Sequence, residues 1–285
     1  MPGHPLKNTN DFSLAQLLNY LEKSERDRFL ISSEDFDFLQ PSQVAELRHL
    51  LIDYDVQIVM YVRNPVNAVY SHWQEGIKHG DIRPFKDYCE QILAHPRPLD
   101  YCRIANTWSD ILGQEAMSFV IYENLVADGL DIALYFLNKV LGIAVESQHL
   151  IMPERRVNPS SNMGVIELLR QLNEMQVSLG KKEQIAGSYM TFLKDSSEGQ
   201  RLRKYLQNTY AESADSIDLA PLKKTFSEIS ERFLMIHKKQ TKNIYNEENL
   251  FMDKTASNSN LEARLVDSKA LAEKINIKKL HSLLV

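Results

Sequence analysis

The chain has 285 residues, 44% hydrophobic and 25% charged, enough to bury a sizeable core as one large domain or two small ones. A formal net charge of −5 gives no general attraction for nucleic acid, and Cys89 and Cys102 are too few for a disulfide framework and belong to no CxxC or Cys/His cluster that would hold a metal. No apolar run reaches the roughly 18 residues of a membrane span, and Met1-Pro2-Gly3-His4-Pro5 does not begin a signal peptide, so the expectation is a cytoplasmic protein without a transmembrane segment.

Residues 11–22 place Leu14, Leu17, Leu18 and Leu21 on one helical face. Phe29-Leu30-Ile31-Ser32-Ser33, a short apolar run behind a charged stretch, reads as a buried strand ending at Glu34. Residues 41–52 read as a helix with Val44, Leu47, Leu50 and Leu51 inward. Residues 56–62, nearly all apolar and rich in Val, Ile and Tyr, have the pattern of a strand buried on both faces of a parallel sheet. Strand, helix and strand imply a parallel pair with a right-handed crossover. Asn64-Pro65 then starts a helix, because Asn caps free amides and Pro at the first helical position gives up an N–H that has no partner.

Residues 73–110 read as helical pieces separated at Gly76, Gly80 and the following prolines, with Trp73, Ile77, Phe85, Tyr88, Ile92, Tyr101, Ile104 and Trp108 as core positions. Residues 117–122 form the next strand, and a helix over 130–141 is stopped by Gly142. A further amphipathic helix carries Val165, Leu168, Leu169 and Leu172, and the chain beyond 175 is helical and polar. The domain division is 1–245 for the main body, 246–260 for a linker and 261–285 for an amphipathic carboxyl-terminal helix that docks on the body or on a partner.

Arg63 stands at the carboxyl end of its strand, where open α/β sheets bind ligands, and Ser71 follows eight residues later on the helix. A guanidinium forks onto phosphate oxygens, a hydroxyl adds a donor and the helix amino end favours negative charge, so the pair suits a phosphate. The plainer alternative is an arginine closing a strand in solvent and a helical serine with no role. Glu34, at the end of a parallel strand, would project from the same edge and could serve as a base, although Ser33-Glu34-Asp35 also reads as an ordinary helix start. The segment 155–162, with two arginines and several small polar residues before a helix, is either an anion site or an N-cap behind a solvated basic turn.

Arg63-Asn64-Pro65 behind a buried strand, with Ser71 following, resembles the 3′-phosphate site of sulfotransferases, which use 3′-phosphoadenosine 5′-phosphosulfate as co-substrate. The resemblance covers roughly residues 29–161 and implies a P-loop-type three-layer α/β fold with a central parallel sheet and a helical carboxyl-terminal part. It implies the 3′-phosphate on Arg63 and Ser71, Glu34 in a Ser-Ser-Glu-like segment as the base that deprotonates the acceptor, and Arg156, Asn158 and Ser160 in an Arg-x-Asn-x-Ser segment near the nucleotide. The Tyr122-Glu123-x-Leu125 ending of the later strand matches a segment with a mainly structural role. The implied activity is sulfuryl transfer to a hydroxyl of a carbohydrate or glycolipid, by a scheme that needs no metal.

The chain departs from the family in its amino-terminal part, where the glycine-containing phosphosulfate loop and its strand are not found; Gly180-Lys181-Lys182 lacks both the hydroxyl residue and a preceding strand. Because that strand is central in the family, its loss is expected to leave two buried strands without a shared partner, and the chain by itself is expected to transfer sulfate poorly. The alternative is a truncated, catalytically inactive relative that binds a nucleotide or a partner.

Overall fold

The computed structural model describes residues 14–146, 162–181, 184–209, 215–216, 219–242, 264–265 and 275–284. Those residues are mostly helical around a small parallel sheet, which is α/β in the coarse sense. The order begins α1 (Leu14–Lys23), α2 (Pro41–Leu50), β1 (Ile58–Val62), α3 (Pro65–Lys78), α4 (Phe85–Ala94), α5 (Tyr101–Leu112) and β2 (Met117–Ile121). It continues with α6 (Tyr122–Ala127), α7 (Ile132–Tyr135) running into a π turn (Phe136–Val140), α8 (Met163–Ser178), α9 (Ala186–Asp195) and α10 (Ser197–Thr209). Last come β3 (Asp215–Ser216), α11 (Ala220–His237), β4 (Arg264–Leu265) and α12 (Ile277–Leu284).

β1 and β2 pair in parallel from Ile58↔Met117 to Val62↔Ile121. Two of the three strands expected from the sequence, those at 56–62 and 117–122, therefore bond directly to each other. Beyond β2 the chain returns at Thr241, which bridges to Phe119, and Lys242 donates its N–H to the Phe119 carbonyl at 2.9 Å.

The strand expected at residues 29–33 is not there. Leu30 and Ile31 are 64% and 44% exposed, which a buried strand would not allow. The run is short and finds no lateral partner, whereas the Ser33 hydroxyl has a local one: it accepts the Asp35 N–H at 3.1 Å and starts a 3-10 turn over Glu34–Phe38. That turn is anchored by Phe36, whose ring meets Trp108 edge-on at 5.9 Å. The helix-start reading of Ser33-Glu34-Asp35 is the one the backbone follows.

The helical expectations fare better. Trp73, Ile77, Phe85, Tyr88, Ile92, Tyr101, Ile104 and Trp108 are all buried, as are Leu17, Leu21 and Val44. Gly80 and Gly142 follow the ends of α3 and the π turn at φ 98° and 66°, a left-handed conformation that costs glycine little. The carboxyl-terminal helix is shorter than 261–285: it spans Ile277–Leu284, while Arg264–Leu265 pairs antiparallel with Asp215–Ser216. It docks on the body, burying Leu280 and His281, with His281 Nε2 donating to Gln176 Oε1 at 3.0 Å. The linker at 246–260 lies outside the described residues. Among the described residues no helix is long and apolar enough to cross a membrane.

α8 holds α3, and with it the β1–α3 turn, in place. It buries Val165, Ile166, Leu168, Leu169 and Leu172 together with Glu167, Arg170 and Asn173. Burying such polar groups is tolerated only when they are paired, and they are. Arg170 Nε and Nη2 donate to the Glu167 carboxylate at 2.8–3.0 Å, and Arg170 Nη1 donates to the Ile82 carbonyl at 2.8 Å. Asn173 Nδ2 donates to the Ile77 carbonyl at 2.7 Å, at the end of α3.

Candidate functional site

The candidate site is built where β1 and β2 end side by side. Apolar, β-branched side chains make β1 a strand, and Asn64-Pro65 stops it. Asn64 Oδ1 accepts the Val66 N–H at 3.0 Å, capping α3, and Pro65 takes the first helical position. Because Val62 and Ile121 are register partners, Arg63 and Tyr122 stand next to each other at the carboxyl edge of the sheet. The Arg63 guanidinium lies over the Tyr122 ring, 5.4 Å from its centroid.

Glu123 follows and is buried at 6% exposure. Its Oε2 accepts the Asn64 N–H at 2.9 Å, and its Oε1 lies 3.7 Å from Arg63 Nε without a hydrogen bond of its own. Burial pushes the Glu123 carboxyl above its ordinary pKa, against the opposing pull of the Asn64 N–H and the Arg63 guanidinium. Arg63 keeps 43% of its side chain exposed while Glu123 keeps 7%, so the cation faces solvent and its counter-ion lies underneath. The result is an exposed guanidinium, oriented by a ring and a carboxylate, beside the capped amino end of a helix. Such an arrangement can take a phosphate or sulfate group.

Ser71 lies on α3 and is half-buried. Asn64, Asn67 and Ser71 follow helical spacing along one side of α3, and Asn67 contributes a weak downward pull on the Glu123 carboxyl, which places this side of the helix toward the site. Glu34 opens the 3-10 turn rather than ending a strand, so the shared sheet edge that paired it with Arg63 does not exist. Arg156, Asn158 and Ser160 lie outside the described residues. The segment 79–83 is a packing turn: Arg83 pairs with Asp81, and its carbonyl accepts Trp73 Nε1–H at 2.8 Å.

Two contributors to the site were missed at the sequence level. Glu123 and Tyr122 read as the end of a structural strand, and the signal that could have found them is the equal ending of two parallel apolar runs, which sets the residues after each side by side. A cleft of about 370 Å³ opens elsewhere, between α5, the start of α2 and α11, lined by Asp100, Arg103, Thr107, Asp110 and Arg232 among others. Arg63, Ser71 and Glu123 do not line it. No protein-family model matches this chain, and no curated protein or solved structure matches it at a significant level.

Proposed function

We propose that this chain is a sulfotransferase-like protein that binds 3′-phosphoadenosine 5′-phosphosulfate at the carboxyl edge of β1 and β2, with the 3′-phosphate held by Arg63 and Ser71. The observation that carries the reading is the exposed Arg63 guanidinium beside the capped start of α3, oriented by Glu123 and Tyr122. On this reading the two strands belong to a P-loop-type three-layer fold, and Arg156, Asn158 and Ser160 complete the nucleotide side. The acceptor is a carbohydrate or glycolipid hydroxyl. Its oxygen attacks sulfur, the bond from sulfur to the phosphate oxygen breaks, and adenosine 3′,5′-bisphosphate leaves while the acceptor proton passes to a base. Glu34 holds the role of base by resemblance alone, since the strand that would have aimed it at Arg63 is absent.

A second reading, a catalytically inactive relative that binds a nucleotide or partner, is favoured by the direct pairing of β1 with β2, which leaves no central strand to carry a phosphosulfate loop between them. Calorimetry with adenosine 3′,5′-bisphosphate tests the part both readings share. Wild type should bind, and Arg63→Ala should weaken binding about tenfold to a hundredfold, the worth of one charge-assisted hydrogen-bonding group. Equal affinity for the two proteins removes the site.

A further inference from the structure

Among the described residues the sheet has one covered and one open edge. β2 is flanked by Thr241 and Lys242, whereas among the described residues nothing hydrogen-bonds to the side of β1 that faces away from β2. Ile58, Val59, Met60 and Tyr61 are each only partly buried, and no lysine, proline or bulge interrupts the strand to discourage pairing. Alongside it, α7 and its π turn bury none of their residues, although Leu134, Phe136, Leu137 and Val140 are apolar and Phe136 lies 6.5 Å from the Tyr61 ring. An apolar edge of this kind accepts another strand.

We propose that the strand is β1 of a second copy of this chain, paired antiparallel about a two-fold axis through Val59. Such an axis keeps each face of the sheet on its own side, so residues equidistant from Val59 oppose each other. In that register the exposed Asp55 opposes Arg63 of the second copy at both ends, Gln57 opposes Tyr61, and Ile58 opposes Met60. Acid meets base and apolar meets apolar. Moving the axis to Met60 sets Asp55 against Pro65 and loses both ion pairs. Within the chain, Arg63 engages Glu123 through Nε, which leaves its terminal nitrogens for the second carboxylate. The Phe136-bearing turns of the two copies come together on the Tyr61 face and extend the apolar contact beyond the strands.

This inference does not rest on the nucleotide reading and competes with it for the terminal nitrogens of Arg63, so the experiment reads mass rather than ligand binding. In native mass spectrometry and light scattering, wild type should be a dimer. Asp55→Arg, a change at an exposed position before the strand, should weaken dimerisation at least about tenfold by setting two like charges against Arg63, and the Asp55→Arg/Arg63→Asp double variant should restore the dimer. Hydrogen exchange should show the β1 amides more protected in wild type than in Asp55→Arg. A monomeric wild type at about 100 μM, well above the Kd of a specific dimer, overturns the proposal. A dimer indifferent to Asp55→Arg, or one the double variant fails to restore, overturns it equally. Arg63→Asp alone sets two carboxylates against each other and should weaken the dimer as Asp55→Arg does, and a dimer intact in that variant overturns the proposal whatever becomes of nucleotide binding.

Discussion

The buried carboxylate of Glu123 accepts the backbone N–H of Asn64 at 2.9 Å, across 59 residues of sequence. This bond ties the start of α3 to the end of β2, and the second oxygen of the same carboxylate lies under Arg63. A strand-to-helix turn that would otherwise be held by its own cap is thereby fixed to the neighbouring strand, together with the cation it presents.

Removing the carboxylate should cost stability. Glu123→Ala leaves the Asn64 N–H without its partner and should destabilise the fold by about 1–3 kcal/mol in thermal or urea unfolding. Glu123→Gln keeps an acceptor and should cost less. Equal stability of wild type and Glu123→Ala would show that the turn is held by Asn64 and Pro65 alone.

The same residue gives a pH dependence whose sign follows from its raised pKa. A carboxyl that binds its proton more tightly when folded favours the folded state at low pH, and this contribution is lost as pH rises from the ordinary value of 4.5 through the raised folded value. The Tm of Glu123→Gln minus that of wild type should therefore increase with pH across this window. A difference that stays flat from pH 4 to about 8 contradicts the assignment of burial as the dominant influence.

Ser71 contributes one neutral donor to the proposed phosphate site. Ser71→Ala should weaken adenosine 3′,5′-bisphosphate roughly threefold to tenfold, less than Arg63→Ala, and leave Tm unchanged. Calorimetry that ranks Ser71→Ala above Arg63→Ala would reverse the order of importance on which the site is built.

The buried pair on α8 predicts a different balance. Arg170→Ala leaves the buried Glu167 carboxylate without its cation, with the Gln171 amide still donating to it, and should cost about 3–5 kcal/mol. Glu167→Leu with Arg170→Met removes both charges and should recover much of that loss, although the bond to the Ile82 carbonyl is still missing. Unfolding curves for the three proteins decide it, and a double variant no better than Arg170→Ala would mean that the pair is needed for more than mutual neutralisation.

The local features of this molecule could be read from its residues alone. Asn64 and Pro65 mark the start of α3, Gly142 follows the end of the π turn, and the inward faces at Leu17, Val44, Trp73, Ile77 and Trp108 follow from helical spacing, because caps and faces depend on neighbours within a turn or two. The apolar runs of β1 and β2 were legible as strands for the same reason. Their pairing was not. A strand's partner is a long-range contact, and the sequence pattern of a buried strand carries no information on which strand lies beside it; only the fold set β1 directly against β2 and placed Glu123 under Arg63. The run at 29–33 carries a strand-like pattern too, but with no lateral partner its backbone follows the bond that Ser33 supplies locally. Likewise the polar residues of α8 look like an exposed face in sequence, and tertiary contacts with Ile77 and Ile82 are what let them be buried.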